Sequence, residues 1–174
     1  MVVLRRITAM AVALLLCASP LVVAADQSSL SQPEDIPILT VTGAITKTNI
    51  DGSAQFDAAL FASLPRHKTT TRTPWYNGPR TFEGPLLRDV LAAVGARGKT
   101  LRVEALNDYA ALIPVSDATE TDVVLADRID GKPIPVRERG PLFIIYPFDE
   151  RPALNSEEYY QRSVWQVRSI EVQP

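Results

Sequence analysis

Apolar residues in this chain fall in short runs, several of them bounded by proline or glycine. There are 14 Pro and 8 Gly in 174 residues, and several stand where an apolar pattern starts or stops. Leu39, Val41, Gly43 and Ile45 alternate with Thr40, Thr42, Ala44 and Thr46, which is the period of a half-buried strand. QFDAALFASLP (55–65) reads as a short helix, with Asp57 as N-cap, Phe56 and Phe61 as a hydrophobic staple, and Pro65 as its stop. GPLLRDVLAAVG (84–95) places Pro85 at a first helical position and Gly95 at the C-terminal cap. Leu86, Leu87, Val90, Leu91 and Val94 would form one apolar face between them. Leu101, Val103 and Ala105 alternate as a strand, and Tyr109–Val115 continues extended. Ser116 opens a turn or helical segment, and Val123–Ile129 is a strand ending in the Asp130-Gly131 turn. Leu142–Tyr146 is a wholly apolar, buried strand, and Asn155–Arg162 is a helical turn. In the last strand the apolar phase slips between Val167 and Ile170, predicting a bulge near Arg168-Ser169. Short strands with short helices and no βαβ rhythm define an α+β domain with a mainly antiparallel or mixed sheet.

The first residues have a different character. Arg5 and Arg6 precede an apolar run from Ile7 to Ala18, Pro20 interrupts it, and the small residues Ala24 and Ala25 follow. Basic, then apolar, then small is the order of a secretory signal peptide, with cleavage after Ala24 or Ala25. The run is too short and too broken for a membrane anchor, so no transmembrane segment is expected after cleavage. Cys17 lacks the small residue expected before a lipidated cysteine, and the residues around Arg5-Arg6 give little support to twin-arginine export of a prefolded protein. The expected organisation is therefore a signal peptide over 1–25, a flexible polar linker over 26–35 and one domain over 36–174. Its expected location is the periplasm or another exported compartment.

That cleavage shapes the chemistry. The single cysteine leaves with the leader, so the mature chain has no disulfide, thiolate nucleophile or sulfur from cysteine for a metal. One histidine, His67, remains, and it reads as a surface residue beside Lys68. The leader carries two arginines and no acid, so its loss makes the net charge of −2 more negative. A mildly acidic domain with no basic run argues against nucleic acid as a partner.

Three stretches carry candidate site residues. In TTTRTPWYNGPRTFEG (69–84), Arg72 and Arg80 either hold an anion or are surface arginines paired with Glu83 and other carboxylates. Trp75 and Tyr76 either stack on a planar ligand, or Trp75 packs on the helix that begins at Pro85 while Tyr76 lies at the surface. Asn77-Gly78 is a turn requirement. Asn107, Asp108 and Tyr109 lie between two extended segments, as a ligand loop or as an Asx turn. Tyr159, Tyr160 and Arg162, with Trp165 beyond them, form an aromatic and basic cluster suited to a partner or to core packing. The carboxylates Asp127, Asp130, Asp149 and Glu150 have no metal-site spacing.

Five pieces stand in a recognisable order: W-Y-N-G-P-x-x-F-E-G-x-x-L-x-x-V-L, A-L-N-D-Y followed by I-P, L-A-x-x-x-D-G-K-P, G-P-L-F-I-I-Y-P, and S-V-W-Q-V-R-S-I-E-V. Together, from about Leu39 to Val172, they resemble the molybdopterin-binding domain of the sulfite oxidase family, especially its small exported single-domain members. The resemblance implies an α+β fold whose loops surround a pterin-dithiolene cofactor holding molybdenum, with the Asn107 segment near the cofactor side. In catalytic members a cysteine just before the tryptophan-and-glycine segment gives its thiolate to the metal. Here that stretch is His67-Lys68-Thr69-Thr70-Thr71-Arg72-Thr73. A threonine hydroxyl stays protonated near neutral pH and is a hard, weak donor, so it cannot imitate a thiolate. The reading is thus a non-catalytic binding or sensing module with no cofactor, taking a small anionic or planar ligand or an envelope protein partner. The alternative is a molybdopterin-dependent oxidoreductase that holds its cofactor without a cysteine.

Overall fold

The computed structural model of the chain describes residues 30–174; the leader and residues 26–29 of the polar stretch lie outside them. The strands are β1 (Leu39–Gly43), β2 (Ala54–Phe56), β3 (His67–Thr71), β4 (Arg80–Gly84), β5 (Thr100–Ala105) and β6 (Ala110–Pro114). After them come β7 (Val124–Ala126), β8 (Arg128–Ile129), β9 (Lys132–Pro133), β10 (Phe143–Ile145) and β11 (Val167–Gln173). Four short helices intervene: α1 (Ala58–Ala62), α2 (Leu87–Ala93), α3 (Val115–Glu120) and α4 (Glu157–Arg162).

The strands form a five-stranded sheet in the order β2-β1-β11-β5-β6, a four-stranded sheet β3-β4-β8-β9, and the ladder β10-β7. Only β1 and β11 pair in parallel; every other pair is antiparallel. This is the mixed, mainly antiparallel α+β architecture that the short alternating runs imply.

The β7–β10 ladder shows why its residues are apolar without alternation. Leu125 and Ile144 join the larger core, with residues of the five-stranded sheet and of α1, α2 and α3. Val124, Ala126, Phe143 and Ile145 join a second core with Phe82 and Leu86. A strand buried on both faces has no solvent side to make polar. Gly84 seats β4 against this ladder, since a Cβ there would lie 2.1 Å from the carbonyl oxygen of Leu125.

Asp57 caps α1 as its position implies, accepting from the Leu60 N–H at 2.8 Å. Its other oxygen accepts from the Glu34 and Asp35 N–H groups. These bonds, Leu60 foremost, hold its carboxyl below the usual range against the opposing effect of burial. Residues 30–35 of the stretch expected to be a flexible linker are thus in contact with the domain, and Leu30 packs on the larger core.

Some boundaries differ from the sequence expectation. The second helix starts at Leu87 with Leu86 as its N-cap, so Pro85 precedes it by two positions. Leu86 then turns to the second core instead of extending the α2 face. The expected strand Val123–Ile129 divides at Asp127, whose N–H donates to the Glu83 carbonyl. Its first half pairs with β10 and its second half with β4, two different sheets. His67 is half-buried within β3. The Asp130-Gly131 turn and the last-strand bulge are found where expected, the register shifting between Val167 and Ser169.

Candidate functional site

The stretch 69–84 is a β-hairpin, with β3 and β4 paired from His67↔Gly84 to Thr71↔Arg80. Thr69, Thr70 and Thr71 lie on β3, Thr81 lies on β4, and residues 72–79, with Thr73 among them, form the connection. Gly78 has a φ of +75 with open space around it, as a turn glycine requires.

Both candidate arginines of the hairpin are engaged by carboxylates, though by neither route through Glu83. The Arg72 guanidinium lies 3.2 Å from Asp149, and the Arg72 N–H also donates to Asp149. The Thr71 hydroxyl accepts from the Asp149 N–H at 3.0 Å. Arg80 pairs with Asp130 at 2.9 Å. The Thr81 N–H and then Arg80 hold the Asp130 carboxyl below its ordinary value. Glu83 takes Lys68 at 2.7 Å instead, which lowers its carboxyl in the same way.

The Trp75 ring lies among three other aromatic side chains. Its centroid is 5.3 Å from Phe143, 5.8 Å from Trp165 and 6.0 Å from Tyr160. The last two rings stand nearly perpendicular to it, at 77° and 78°. Edge-to-face pairs at these separations are the favourable arrangement for aromatic quadrupoles. Trp75 packs against both cores, so it sits where they meet. Tyr76 is half-buried rather than at the surface: its ring meets Phe82 at 6.1 Å, and the Arg139 guanidinium lies 5.1 Å over it.

A groove of about 390 Å³ opens beside Trp75, with Asn107, Tyr109, Tyr160, Trp165 and Glu157 among its walls. That volume is in the range of small-molecule sites. Asn107 closes an Asx turn by accepting the Tyr109 N–H at 3.2 Å, and the same turn presents Tyr109 to the groove. The loop and turn readings of 107–109 therefore coexist. The Tyr109 O–H donates to the Gln161 carbonyl at 2.9 Å, bridging the β5–β6 turn to α4.

Of the nine sequence candidates, Trp75, Asn107, Tyr109 and Tyr160 converge on this groove. Arg72, Arg80 and Asp108 do not line it, and Asp108 turns to Arg168 at 3.0 Å. Tyr159 and Arg162 do not line it either. Arg162 bridges Asp117 at 3.0 Å and Glu158, with its guanidinium 5.2 Å over the Tyr159 ring. The Tyr146 O–H donates to the same Asp117 at 2.8 Å. Burial, then Asp117, pushes the Tyr146 phenol far above its ordinary value, so it remains a donor. This network ties α4, a wall of the groove, to α3 and to the end of β10.

Sequence reasoning missed three residues. Trp165 stood at the end of a recognised aromatic cluster, so a signal existed. Glu157 had none, because its approach to Trp75 depends on how α4 is set against the hairpin. Arg139 adopts a φ of +79 and lies over both Tyr76 and Trp165, at 5.1 and 5.5 Å; only the tertiary fold brings those rings together.

The mixed, mainly antiparallel sheets with short helices agree with the α+β fold that the resemblance implies. The profile described as the oxidoreductase molybdopterin binding domain matches residues 58–149, more than half of the chain, and the chain belongs to that family. No curated protein sequence matches it. Among solved structures it is similar to the sulfane dehydrogenase SoxCD from Paracoccus pantotrophus, with a TM-score of 0.61 and 20% identity. That match covers 78% of this chain and 37% of the other, so this chain spans well under half of its length. At such identity the likeness concerns the fold alone.

The donor set bears on whether this chain fits the family's cofactor. The β3 stretch offers hydroxyls where a thiolate would be needed. Among the described residues there is no cysteine, and no three His, Cys, Asp or Glu side chains gather as a metal-holding group. A molybdenum anchored by protein sulfur does not fit these residues. The Thr69 and Thr73 hydroxyls are buried without a hydrogen-bond partner in the fold.

Proposed function

We propose that this chain is an exported, non-catalytic member of the family that binds a small ligand in the groove beside Trp75. One observation carries the proposal: residues from three separate parts of the sequence, Trp75, the Asn107–Tyr109 turn and Tyr160, line one groove of ligand size. The hydroxyl-bearing β3 stretch supports a non-catalytic role, since the thiolate chemistry of catalytic relatives has no donor there. Export rests on the basic-apolar-small order of residues 5–25. Among the described residues no helix is long and apolar enough to cross a membrane. The likeness to a sulfane dehydrogenase concerns the fold and supplies no substrate.

The test is a thermal-shift screen of small molecules against the purified chain and its Trp75→Phe variant. Hits whose stabilisation shrinks several-fold in the variant are expected; hits indifferent to Trp75 would move the site elsewhere.

A second reading has one specific observation behind it. The buried, unpartnered hydroxyls of Thr69 and Thr73 lie in the stretch where relatives place the metal ligand, and a buried hydroxyl without a partner is costly. Under that reading the chain is a molybdopterin-dependent oxidoreductase whose pterin is held without cysteine. A third role, docking of an envelope protein through Tyr159, Tyr160 and Arg162, is less favoured, because Arg162 is already fixed by two carboxylates.

A further inference from the structure

Resting on the ligand-binding reading above, we infer that the groove is a site for a small organic cation of the alkylated-ammonium class. Four aromatic side chains line it, Trp75, Trp165, Tyr160 and Tyr109, and no lysine or arginine does, although the Arg139 guanidinium lies 5.5 Å over the Trp165 ring. Glu157 is the one carboxylate in the wall, and the Gln161 amide donates to it at 3.2 Å, fixing one of its oxygens. The Asn107 side-chain oxygen and the Gln161 carbonyl both accept from Tyr109, through its N–H and its O–H, and so hold its ring in the wall. Ring faces carry negative electrostatic potential, and an alkylated ammonium is attracted to them with little desolvation cost. Trp165 and Tyr160 stand nearly perpendicular to Trp75, so the three rings form a corner and not a stack. A corner can meet a compact, rounded cation on more than one side, whereas a flat ring would stack on one face at a time. The hairpin arginines that would recognise an anion are held by Asp149 and Asp130 outside the groove.

The chain has two tryptophans, and both line the groove. Intrinsic tryptophan fluorescence therefore reads this site with no label. The experiment titrates the purified chain with choline, with the neutral carbon analogue of choline in which carbon replaces nitrogen, and with benzoate as a planar anion. Choline is expected to change the emission saturably and to bind at least about fivefold more tightly than the neutral analogue. Glu157→Gln is expected to weaken choline about fivefold and to leave the neutral analogue unchanged, while Glu150→Gln at an exposed site changes neither. Equal binding of choline and its neutral analogue, or saturable binding of benzoate in place of choline, overturns the cation inference and leaves the groove standing as a ligand site. Silence towards all three overturns the cation inference and counts against the ligand-binding reading as well.

Discussion

Trp75 and Tyr76 are adjacent in the hairpin connection, yet they serve two regions of different chemistry. Trp75 meets Phe143, Tyr160 and Trp165 and borders a groove of about 390 Å³ with one carboxylate and no cation in its walls. Tyr76 borders a smaller basin of about 220 Å³ with Arg80, Lys132, Asp130 and Glu138, and has Arg139 above its ring. One region has aromatic walls with a single carboxylate; the other is a mesh of paired charges, and Arg139 lies between them, 5.1 Å over Tyr76 and 5.5 Å over Trp165. A mesh of opposite charges close together largely cancels itself and is screened by solvent. The inferred cation site draws on the other side of this contrast, an aromatic corner whose one carboxylate has no ion-pair partner among the described residues. Two consecutive residues thus border surfaces of different chemistry.

The largest effect that would sharpen this contrast comes from truncating the two rings. Trp75→Ala removes a ring packed on both cores and is expected to cost about 3 kcal/mol, with loss of the groove's ligand response. Tyr76→Ala, losing its contact with Phe82 and a cation over its face, is expected to cost about 1 kcal/mol and to spare the groove. Urea unfolding of both variants checks the order; equal costs would erase the distinction.

Gly84→Ala acts on the frame shared by both regions. A Cβ would lie 2.1 Å from the Leu125 carbonyl oxygen, so β4 must shift from the ladder at a cost of about 2 kcal/mol. The contrast would weaken if this change loosened one region alone, as read by amide exchange on β8 and on α4.

Next is the support of the groove wall. Arg162→Met leaves Asp117, whose side chain is 10% exposed, with the Tyr146 hydroxyl as its remaining bond. A loss of about 2 kcal/mol is expected, together with weaker ligand binding, because α4 carries Glu157 and Tyr160. An undiminished ligand response in a destabilised variant would show that the wall does not depend on this pair.

The smallest effect belongs to the basin. Asp130 titrates below its unfolded value, through the Thr81 N–H and then Arg80. Its stabilisation is full above the unfolded value and fades as pH falls through the folded one. The pair is about half exposed, so the contribution is about 0.5 kcal/mol at neutral pH. Asp130→Asn should remove that acid-dependent increment from unfolding curves below the usual carboxylate range; an unchanged curve would show that the basin's charges do not act through this residue.

Much of the fold was legible because its signals are local. Asp57 caps α1, Asp130-Gly131 turns, and the phase slip near Arg168 marks a real bulge, each decided by neighbouring residues. The errors fall where distant parts decide. Leu86 looked like a helix-face residue but turns to a second core that periodicity cannot reveal. The stretch Val123–Ile129 looked like one strand, while Gly84 and the Glu83 carbonyl divide it between two sheets. Site residues followed the same rule. Trp75, Asn107 and Tyr109 were visible as residue types on loops, whereas Glu157 gained its place only when α4 was fixed by Asp117. Arg72 and Arg80 were open to anion binding or to carboxylate pairing, and their partners Asp149 and Asp130 could not be named because they lie many residues away.

The central claim is that this member of the family has exchanged a sulfur-anchored metal site for an aromatic ligand groove. Its most direct test is molybdenum and pterin content, measured on the full chain purified from the envelope of a molybdenum-replete host. The account predicts neither at meaningful stoichiometry; a full equivalent of either per chain would contradict it.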